Sequence, residues 1–420
     1  MKTNYKLKFY FVVLLFVTGT FLKAQWSNGQ NATYVIGQTN FTNTTSGTSD
    51  STFSSVVTQG CTAIDSRHNV MYVIDFFNSR VLRFSYPLTA NSPHANLVFG
   101  QPAFNIGTAN NGGLSASSLH YPGSCTVDTV SGTLWVADNG NQRILRFDSA
   151  FAITTNMPAA DEVLGQPTFT SAAGPGCSST QINIDNGPIT GNLVHYDQAN
   201  DILWFVDNGN NRVLRFNSPK TIGDGAAANN VLGQATFSGS GSGTSQNQFS
   251  RPDGATTIGN SLFISDAQNN RILRFDNVTT LADGANASGV IGQTDFISFS
   301  AGISQNQVDL PSGLCSDCSG SLYVADLNNN RVLIFYNATA LANGGNASAV
   351  LLKSIFTDNA TNGPSQSNGG TCSTVAFDNR YGNLVVLDRT NSRYLVFNTC
   401  LSGSFNSQPQ STSVCSGEVA

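Results

Sequence analysis

Short stretches of alternating apolar residues recur along the chain, and each ends in a cluster of polar turn-forming residues. One such run extends from Leu134 to Asp138, and a second run follows directly from Arg143 to Phe147. A period of two residues, bounded by Gly, Asn and Asp, is typical of half-buried strands joined by tight turns. The pattern therefore predicts a protein built from many short antiparallel strands.

The same pair of runs occurs six times. Each copy fits the pattern D-x-x-N-x-R-(V/I/Y)-L-x-F, and successive Asp residues are 63, 69, 59, 60 and 62 positions apart. A self-similar unit of this length indicates a repeat fold. The Asp and Arg positions of the six copies are Asp75 and Arg80, Asp138 and Arg143, Asp207 and Arg212, Asp266 and Arg271, Asp326 and Arg331, and Asp388 and Arg393.

Two further runs complete each unit. A short run such as Cys125–Asp128 precedes the pair and predicts an inner strand a, before strands b and c. A segment of the form V-(I/L/F)-G-Q-x-x-F follows the pair and predicts an outer strand d. Four antiparallel strands repeated six times predict an all-β fold, the six-bladed β-propeller. The V-x-G-Q segments begin at Val35, Val98, Val163, Val231 and Val290.

The ends of the repeat region predict how the ring closes. The sixth unit has no V-x-G-Q segment after it, but a spare copy, Tyr34–Gly37, lies before the first complete unit. We expect this N-terminal strand to complete the last blade, so that the ring has no open edge. In blade five the strand d segment, Val350–Lys353, lacks the Gly-Gln pair. The propeller is predicted to span residues 25–398.

Residues 1–24 have the features of a signal peptide. Three Lys residues precede an apolar run, Phe9–Phe21, which is short for a membrane span and is followed by a small residue, Ala24. The alternative is an uncleaved membrane anchor. We therefore expect a secreted or cell-surface protein with no membrane span after signal removal. The tail, residues 399–420, is rich in Ser and Gln; it is either disordered or the start of a further domain, since its end resembles the opening strand of Ig-like surface modules.

Composition and charge narrow the possible functions. Only 11% of the 420 residues are charged, which argues against coiled coils and helical bundles. Residues 1–24 contain four Lys and no acidic residue, so the remaining chain has 20 − 4 = 16 basic residues against 25 acidic residues, a net charge of −9. Nucleic-acid binding draws most of its affinity from neutralised phosphates. The negative net charge therefore argues against a nucleic-acid partner. In addition, ten of the 14 Arg residues lie in the repeat motifs, so few basic residues are left to bind phosphates.

The strand b Asp, the N-x-R turn and the V-L-x-F strand, repeated over residues 30–398, resemble those of NHL-repeat proteins. The resemblance implies the propeller fold but no single activity, because the family includes binding modules, RNA-binding propellers, kinase sensor domains and a metal-dependent peptide-amidating lyase. Because every blade carries the Asp, Asn and Arg set, we interpret it as structural: a charge-assisted Asp–Arg pair would hold the turn. The alternative is calcium binding by loops such as Asp207–Asn210, although each loop offers only one carboxylate.

The positions that differ between blades are the better candidates for function. The d-to-a and b-to-c loops share one face of a propeller, and the d-to-a loops are long. We predict binding residues at the channel mouth on this face, namely His120 and Tyr121 of blade two and Arg251 and Asp253 of blade four. The alternative interpretation of each residue is ordinary loop packing.

The chain offers no recognisable catalytic set. The four His residues fall in different kinds of loop and strand, and the only Glu residues are Glu162 and Glu418. Metal sites need ligands that converge on one point. We therefore predict no catalytic residues, no metal and no cofactor. A metal-dependent lyase or hydrolase with a site in the central channel is the alternative.

Eight Cys residues in an exported chain suggest disulfides. Cys61, Cys125 and Cys372 lie near the start of strand a in blades one, two and six, so pairs across neighbouring inner strands are possible. Cys177 could instead reach Cys125, and the pattern leaves the connectivity open. Cys400 and Cys415 could pair in the tail.

Taken together, these features predict a non-catalytic, secreted or cell-surface propeller. We expect a monomer that binds a protein or glycan ligand through its d-to-a and b-to-c loop face, using a few aromatic and polar anchors.

Overall fold

The computed structural model describes residues 26–54, 60–185, 191–361 and 363–399. These residues form six four-stranded antiparallel sheets arranged as the blades of a β-propeller. The predicted all-β, six-bladed fold is confirmed. Helix in the described residues is confined to six three-residue 3-10 turns: Asn139–Asn141, Ala150–Ala152, Asn208–Asn210, Ala267–Asn269, Ala338–Ala340 and Arg389–Asn391. No helix in these ranges is long and apolar enough to cross a membrane.

Each blade contains strands a, b, c and d in chain order, and the strands are numbered along the chain. Blade one contains β2 (Thr62–Asp65), β3 (Val70–Asp75), β4 (Arg80–Ser85) and β5 (Leu97–Phe99). Blade two contains β6 (Pro122–Asp128), β7 (Thr133–Asp138), β8 (Arg143–Phe147) and β9 (Glu162–Leu164). Blade three contains β10 (Val194–Asp197), β11 (Ile202–Asp207), β12 (Arg212–Asn217) and β13 (Asn230–Leu232).

The second half of the ring follows the same order. Blade four contains β14 (Pro252–Ile258), β15 (Ser261–Asp266), β16 (Arg271–Asp276) and β17 (Gly289–Ile291). Blade five contains β18 (Pro311–Ser316), β19 (Leu322–Asp326), β20 (Arg331–Phe335) and β21 (Ala349–Leu351). Blade six contains β22 (Cys372–Asp378), β23 (Asn383–Asp388) and β24 (Arg393–Asn398), and its outer strand is β1 (Tyr34–Ile36).

The pairing of β1 with β24 confirms the predicted ring closure. The two strands run antiparallel, with Val35 opposite Leu395. Because one strand from the start of the repeat region completes the last sheet, the two ends of this region are held together by backbone hydrogen bonds. The altered segment of blade five also forms its strand, since β21 pairs with β20.

The core lies between neighbouring blades. Strands b and c are almost entirely buried, and their side chains pack against the facing sheet of the next blade. Trp135 of blade two, for example, stacks on Tyr196 of blade three with ring centroids 4.7 Å apart. This packing of sheet against sheet buries the alternating apolar positions on both sides of each blade.

A buried polar network joins strand b, strand c and the preceding loop in every blade. In blade four, Arg271 donates from Nε to Oδ2 of Asp266 at 2.7 Å, and its Nη atoms donate to the carbonyl oxygens of Thr244, Ser245, Gln248 and Phe296. Oδ1 of Asp266 accepts the backbone N–H that precedes strand a. All six Asp and all six Arg of the motif are fully buried. The motif residues thus fix the loops of each blade to its turn.

The predicted signal peptide and the tail lie outside the described residues, except for Thr399.

Candidate binding face

The d-to-a loops and the b-to-c turns meet on one face of the ring. His120, Tyr121 and Arg251 lie directly before the first residue of a strand a, and Asp253 lies within β14. Tyr121 and Arg251 precede a Pro and have left-handed backbone angles, with φ of 52° and 50°. Non-glycine residues seldom adopt this conformation. The loop therefore turns sharply at these positions as it enters the inner strand.

His120 and Tyr121, both partly buried, form an aromatic cluster with the buried Phe76 and the exposed Phe77 of blade one. The Tyr121 ring stacks on Phe76 at a centroid distance of 5.1 Å and meets Phe77 edge-on at 5.7 Å. The His120 ring lies 4.4 Å from Tyr121. Phe77 is 40% exposed, and Phe76 next to it is buried. The cluster covers the seam between blades one and two.

A groove of about 560 Å³ lies beside this cluster, between the b-to-c turns of blades two and three. Its nearest wall is the b-to-c turn of blade two, where the N–H of Gly140 donates to the carbonyl oxygen of His120 at 2.8 Å. A Cβ atom at Gly140 would lie only 2.5 Å from the His120 ring, so glycine permits this close approach. The groove is lined by Gly140–Gln142, 172–175, 183–185 and Gly209.

The far end of the groove carries an ion pair. Nη2 of Arg251 lies 3.2 Å from Oδ2 of Asp185, and the backbone N–H of Arg251 donates to Oδ1 of Asn211 at 2.7 Å. Asp185 is itself a lining residue of the groove. The structure therefore connects the predicted residues of blades two and four along one surface, with the aromatic cluster at one end and the ion pair at the other.

Asp253 is placed differently from the other three predicted residues. Its side chain is fully buried, and Oδ2 accepts a hydrogen bond from Oγ of Ser312 in blade five at 2.6 Å. Burial raises the pKa of Asp253 to about 6, and the Ser312 hydrogen bond and the charge of Arg251 act in the opposite direction. Asp253 thus braces two neighbouring inner strands beneath the mouth of the channel.

Sequence reasoning missed three residues of this face: Phe77, Asp185 and Ser312. Phe77 occupies a variable position inside a repeat motif, where its exposure cannot be read from the pattern. Asp185 lies in an irregular loop 66 positions before Arg251 in the chain. Ser312 could have been predicted from the sequence, because Pro311-Ser312 occupies the same position in blade five as Pro252-Asp253 in blade four.

The opposite face carries a shallow depression of about 670 Å³, lined mainly by the a-to-b turns of blades three to five. A smaller pocket of about 220 Å³ lies in the channel beneath it and includes His195. Nε2 of His195 lies 2.9 Å from Oγ1 of Thr257, and burial lowers the pKa of His195 to about 4, so this imidazole is neutral at pH 7.

The other His residues are dispersed. His68 pairs with Asp65 and stacks on Phe151, and His94 pairs with Asp50 on the surface. Within the described ranges, no three His, Cys, Asp or Glu side chains come together in a way that could hold a metal ion.

The six four-stranded sheets, each with an Asp–Asn–Arg turn between strands b and c, place the protein in the class of six-bladed β-propellers. A family model described as the NHL repeat matches residues 309–335, which include strands a to c of blade five. The chain is thus a six-bladed β-propeller that contains an NHL repeat in blade five. Comparison with curated proteins finds no match.

Solved structures with similar folds include binding proteins and enzymes. A nidogen/laminin complex chain is 15% identical, with a TM-score of 0.39 over 69% of this chain and 82% of that chain. A gluconolactonase of Xanthomonas campestris is 13% identical, with a TM-score of 0.42 over 80% and 85% of the two chains. A streptogramin B lyase is 11% identical, with a TM-score of 0.43 over 80% and 91%. We assign no activity from these similarities.

Proposed function

We propose that this protein is a non-catalytic binding module of the cell surface or the extracellular space, and that it binds a neutral glycan in the groove beside the aromatic cluster that contains Phe77. The observation that carries the proposal is the aromatic cluster beside that groove, in which the Phe77 ring is exposed. Aromatic faces carry negative charge density. They attract the polarised C–H groups of a sugar ring, whose hydroxyl groups remain free to form hydrogen bonds.

The lining of the groove supports a neutral ligand. Asn183 supplies a side-chain amide, whereas the amides of Asn141 and Gln142 are hydrogen-bonded within the protein. The Gly and Ala residues keep the backbone accessible. The charged lining residue Asp185 is paired with Arg251. A ligand of either sign would have to compete with this pair, whereas hydroxyl groups can bind to amides without displacing it. The net negative charge of the chain likewise gives no attraction for anions.

Binding of the full chain to an array of neutral oligosaccharides tests the proposal, and titration of the best ligand measures the affinity. Replacement of Phe77 by Ala is expected to weaken binding by about tenfold or more, because a central aromatic anchor contributes about 1–2 kcal/mol or more.

Phe299 provides a matched control. It is 58% exposed in the d-to-a loop between β17 and β18, and it takes no part in the aromatic cluster. Phe299→Ala should therefore leave the affinity unchanged. The proposal fails if no oligosaccharide binds, or if the two Phe substitutions weaken binding equally. Selective binding of a protein or peptide at Phe77 would assign the groove to that ligand class instead.

A further inference from the structure

Two thiols meet at the seam between blades one and two. Cys61 directly precedes β2, and Cys125 lies in β6, the neighbouring inner strand. Both residues are buried within one hydrophobic cluster. Sγ of Cys61 lies 3.3 Å from the carbonyl oxygen of Cys125, to which it donates, and 3.6 Å from the carbonyl oxygen of Thr62.

Two other thiols, those of Cys372 and Cys177, contact different parts of the ring. The buried Cys315 lines the channel pocket together with Cys125. Sγ of Cys372 donates to the carbonyl oxygen of Arg331 in blade five, and Sγ of Cys177 donates to the carbonyl oxygens of Phe237 and Gly239. Among the described Cys residues, the pairing of Cys61 with Cys125 is supported by a direct contact, which joins the Cys61 thiol to the Cys125 carbonyl oxygen. The predicted pairing of Cys400 with Cys415 lies outside the described residues. Cys61 and Cys125 are both free thiols in the structure, which therefore represents the reduced state of this pair.

We propose that Cys61 and Cys125 are an oxidisable pair that forms a disulfide joining blade one to blade two. The two thiols lose two protons and two electrons and gain one S–S bond. An external disulfide of the glutathione type accepts the electrons and is released as two thiols. The proposal concerns the thiols alone and does not depend on glycan binding.

The surroundings indicate which sulfur reacts first. The hydrogen bond with Cys125 lowers the pKa of the Cys61 thiol, whereas burial raises the pKa of Cys125 well above its ordinary value. The thiolate is the nucleophile in disulfide exchange. Cys61 therefore attacks the external disulfide, and Cys125 then displaces the second glutathione sulfur as its own proton leaves. Because both sulfurs are buried, the exchange takes place during folding or in a local opening of the seam.

Peptide mapping of the full chain tests the pairing. The protein is refolded in a mixture of reduced and oxidised glutathione, free thiols are alkylated, and trypsin digestion is performed without reduction. Cys61 is the only Cys in the peptide that ends at Arg67, and Cys125 is the only Cys in the peptide 84–143. We expect these two peptides to be linked, and to separate when the sample is reduced.

Two variants separate this pair from other thiols. Cys177→Ser should retain the linked peptides, whereas Cys61→Ser should leave Cys125 open to alkylation in the denatured protein. Reductant should lower the melting temperature of the oxidised wild-type chain but not that of Cys61→Ser. The proposal is overturned if both thiols of the refolded wild-type protein are alkylated, or if either is linked to a different Cys.

Discussion

Arg271 and Asp266 form an ion pair with no access to solvent. The Nε and Oδ2 atoms are 2.7 Å apart, and both side chains are fully buried. The remaining guanidinium N–H groups donate to carbonyl oxygens of the loops on either side of the blade. A planar guanidinium can satisfy five acceptors in this way, and an ammonium group cannot. Every blade repeats this arrangement. Each turn therefore keeps its Arg although only 11% of the residues in the chain are charged.

Replacement of Arg271 by Ala should destabilise the protein by about 3–5 kcal/mol, because it leaves the Asp266 carboxylate buried without its cation. Urea denaturation measures the change. Arg67→Ala is the matched control: this side chain is exposed, and its loss should change the free energy of unfolding by no more than about 0.5 kcal/mol. Equal effects of the two substitutions would show that the buried pair has no special role in stability.

The blades could be predicted from sequence because their determinants are local. Asp, Asn and Arg recur within six positions of each other, and the same turn forms wherever they do. Ring closure was also predictable, since a spare strand segment at one end matched a missing segment at the other. These features depend on spacing along the chain, which a single sequence displays directly.

The candidate site could be predicted only in part, because it is assembled from loops of different blades. The pairing of Arg251 with Asp185 depends on the path of an irregular loop, and that of Asp253 with Ser312 depends on the contact between two inner strands. Neither relation follows from the repeat period. Asp253 was predicted as a binding residue at the channel mouth; it lies within β14, and its burial arises from neighbouring strands that the pattern does not describe.

Asp253 should make stability depend on pH between about 4 and 6. Its pKa is about 6 in the folded protein and about 4 in an unfolded chain. In this window the unfolded chain releases the proton first, so stability falls as pH rises, by about 2–3 kcal/mol in total. Asp253→Asn removes this contribution. The groups that influence the pKa of the Asp253 carboxyl are Ser312, Arg251, Asp185 and the Gly191 N–H. Arg389 is also near, since the charge of Asp253 acts on the pKa of Arg389.

Urea denaturation at a series of pH values measures this effect as a difference between the two proteins, so that other titrating groups cancel. The wild-type protein should lose stability relative to Asp253→Asn from pH 4 to pH 6, and the difference should be constant above about pH 7. A difference that does not vary with pH would contradict the assigned pKa of about 6.

Gly140 should be required for the position of His120. An added Cβ would lie 2.5 Å from the His120 ring and 2.7 Å from its carbonyl oxygen, so Gly140→Ala must displace the loop at the entrance of the groove. We expect a loss of about 1–3 kcal/mol in stability. Gly174 lines the same groove, and a Cβ there would meet no atom within 4 Å. Thermal unfolding should show a lower melting temperature for Gly140→Ala than for Gly174→Ala; the reverse order would refute this account.

Lys353 is the exception in a set of buried glutamines. Gln293 in blade four donates from Nε2 to the carbonyl oxygens of Asn270 and Ser300, at 2.7 and 2.9 Å. At the matching position in blade five, Nζ of Lys353 donates to the carbonyl oxygen of Ala360, and its side chain is almost fully buried. Burial lowers the pKa of Lys353, which reflects the cost of holding a cation there.

Lys353→Gln should therefore stabilise the protein by about 1 kcal/mol, because it removes a buried charge and restores the amide that bridges two carbonyl oxygens in the other blades. The same substitution at Lys220 should have the opposite sign, since Nζ of Lys220 lies 2.7 Å from the buried Oδ2 of Asp128 and its loss leaves that carboxylate without a cation. Urea denaturation of both variants measures the two changes. A loss of stability in Lys353→Gln would mean that the ammonium group is better accommodated in blade five than an amide.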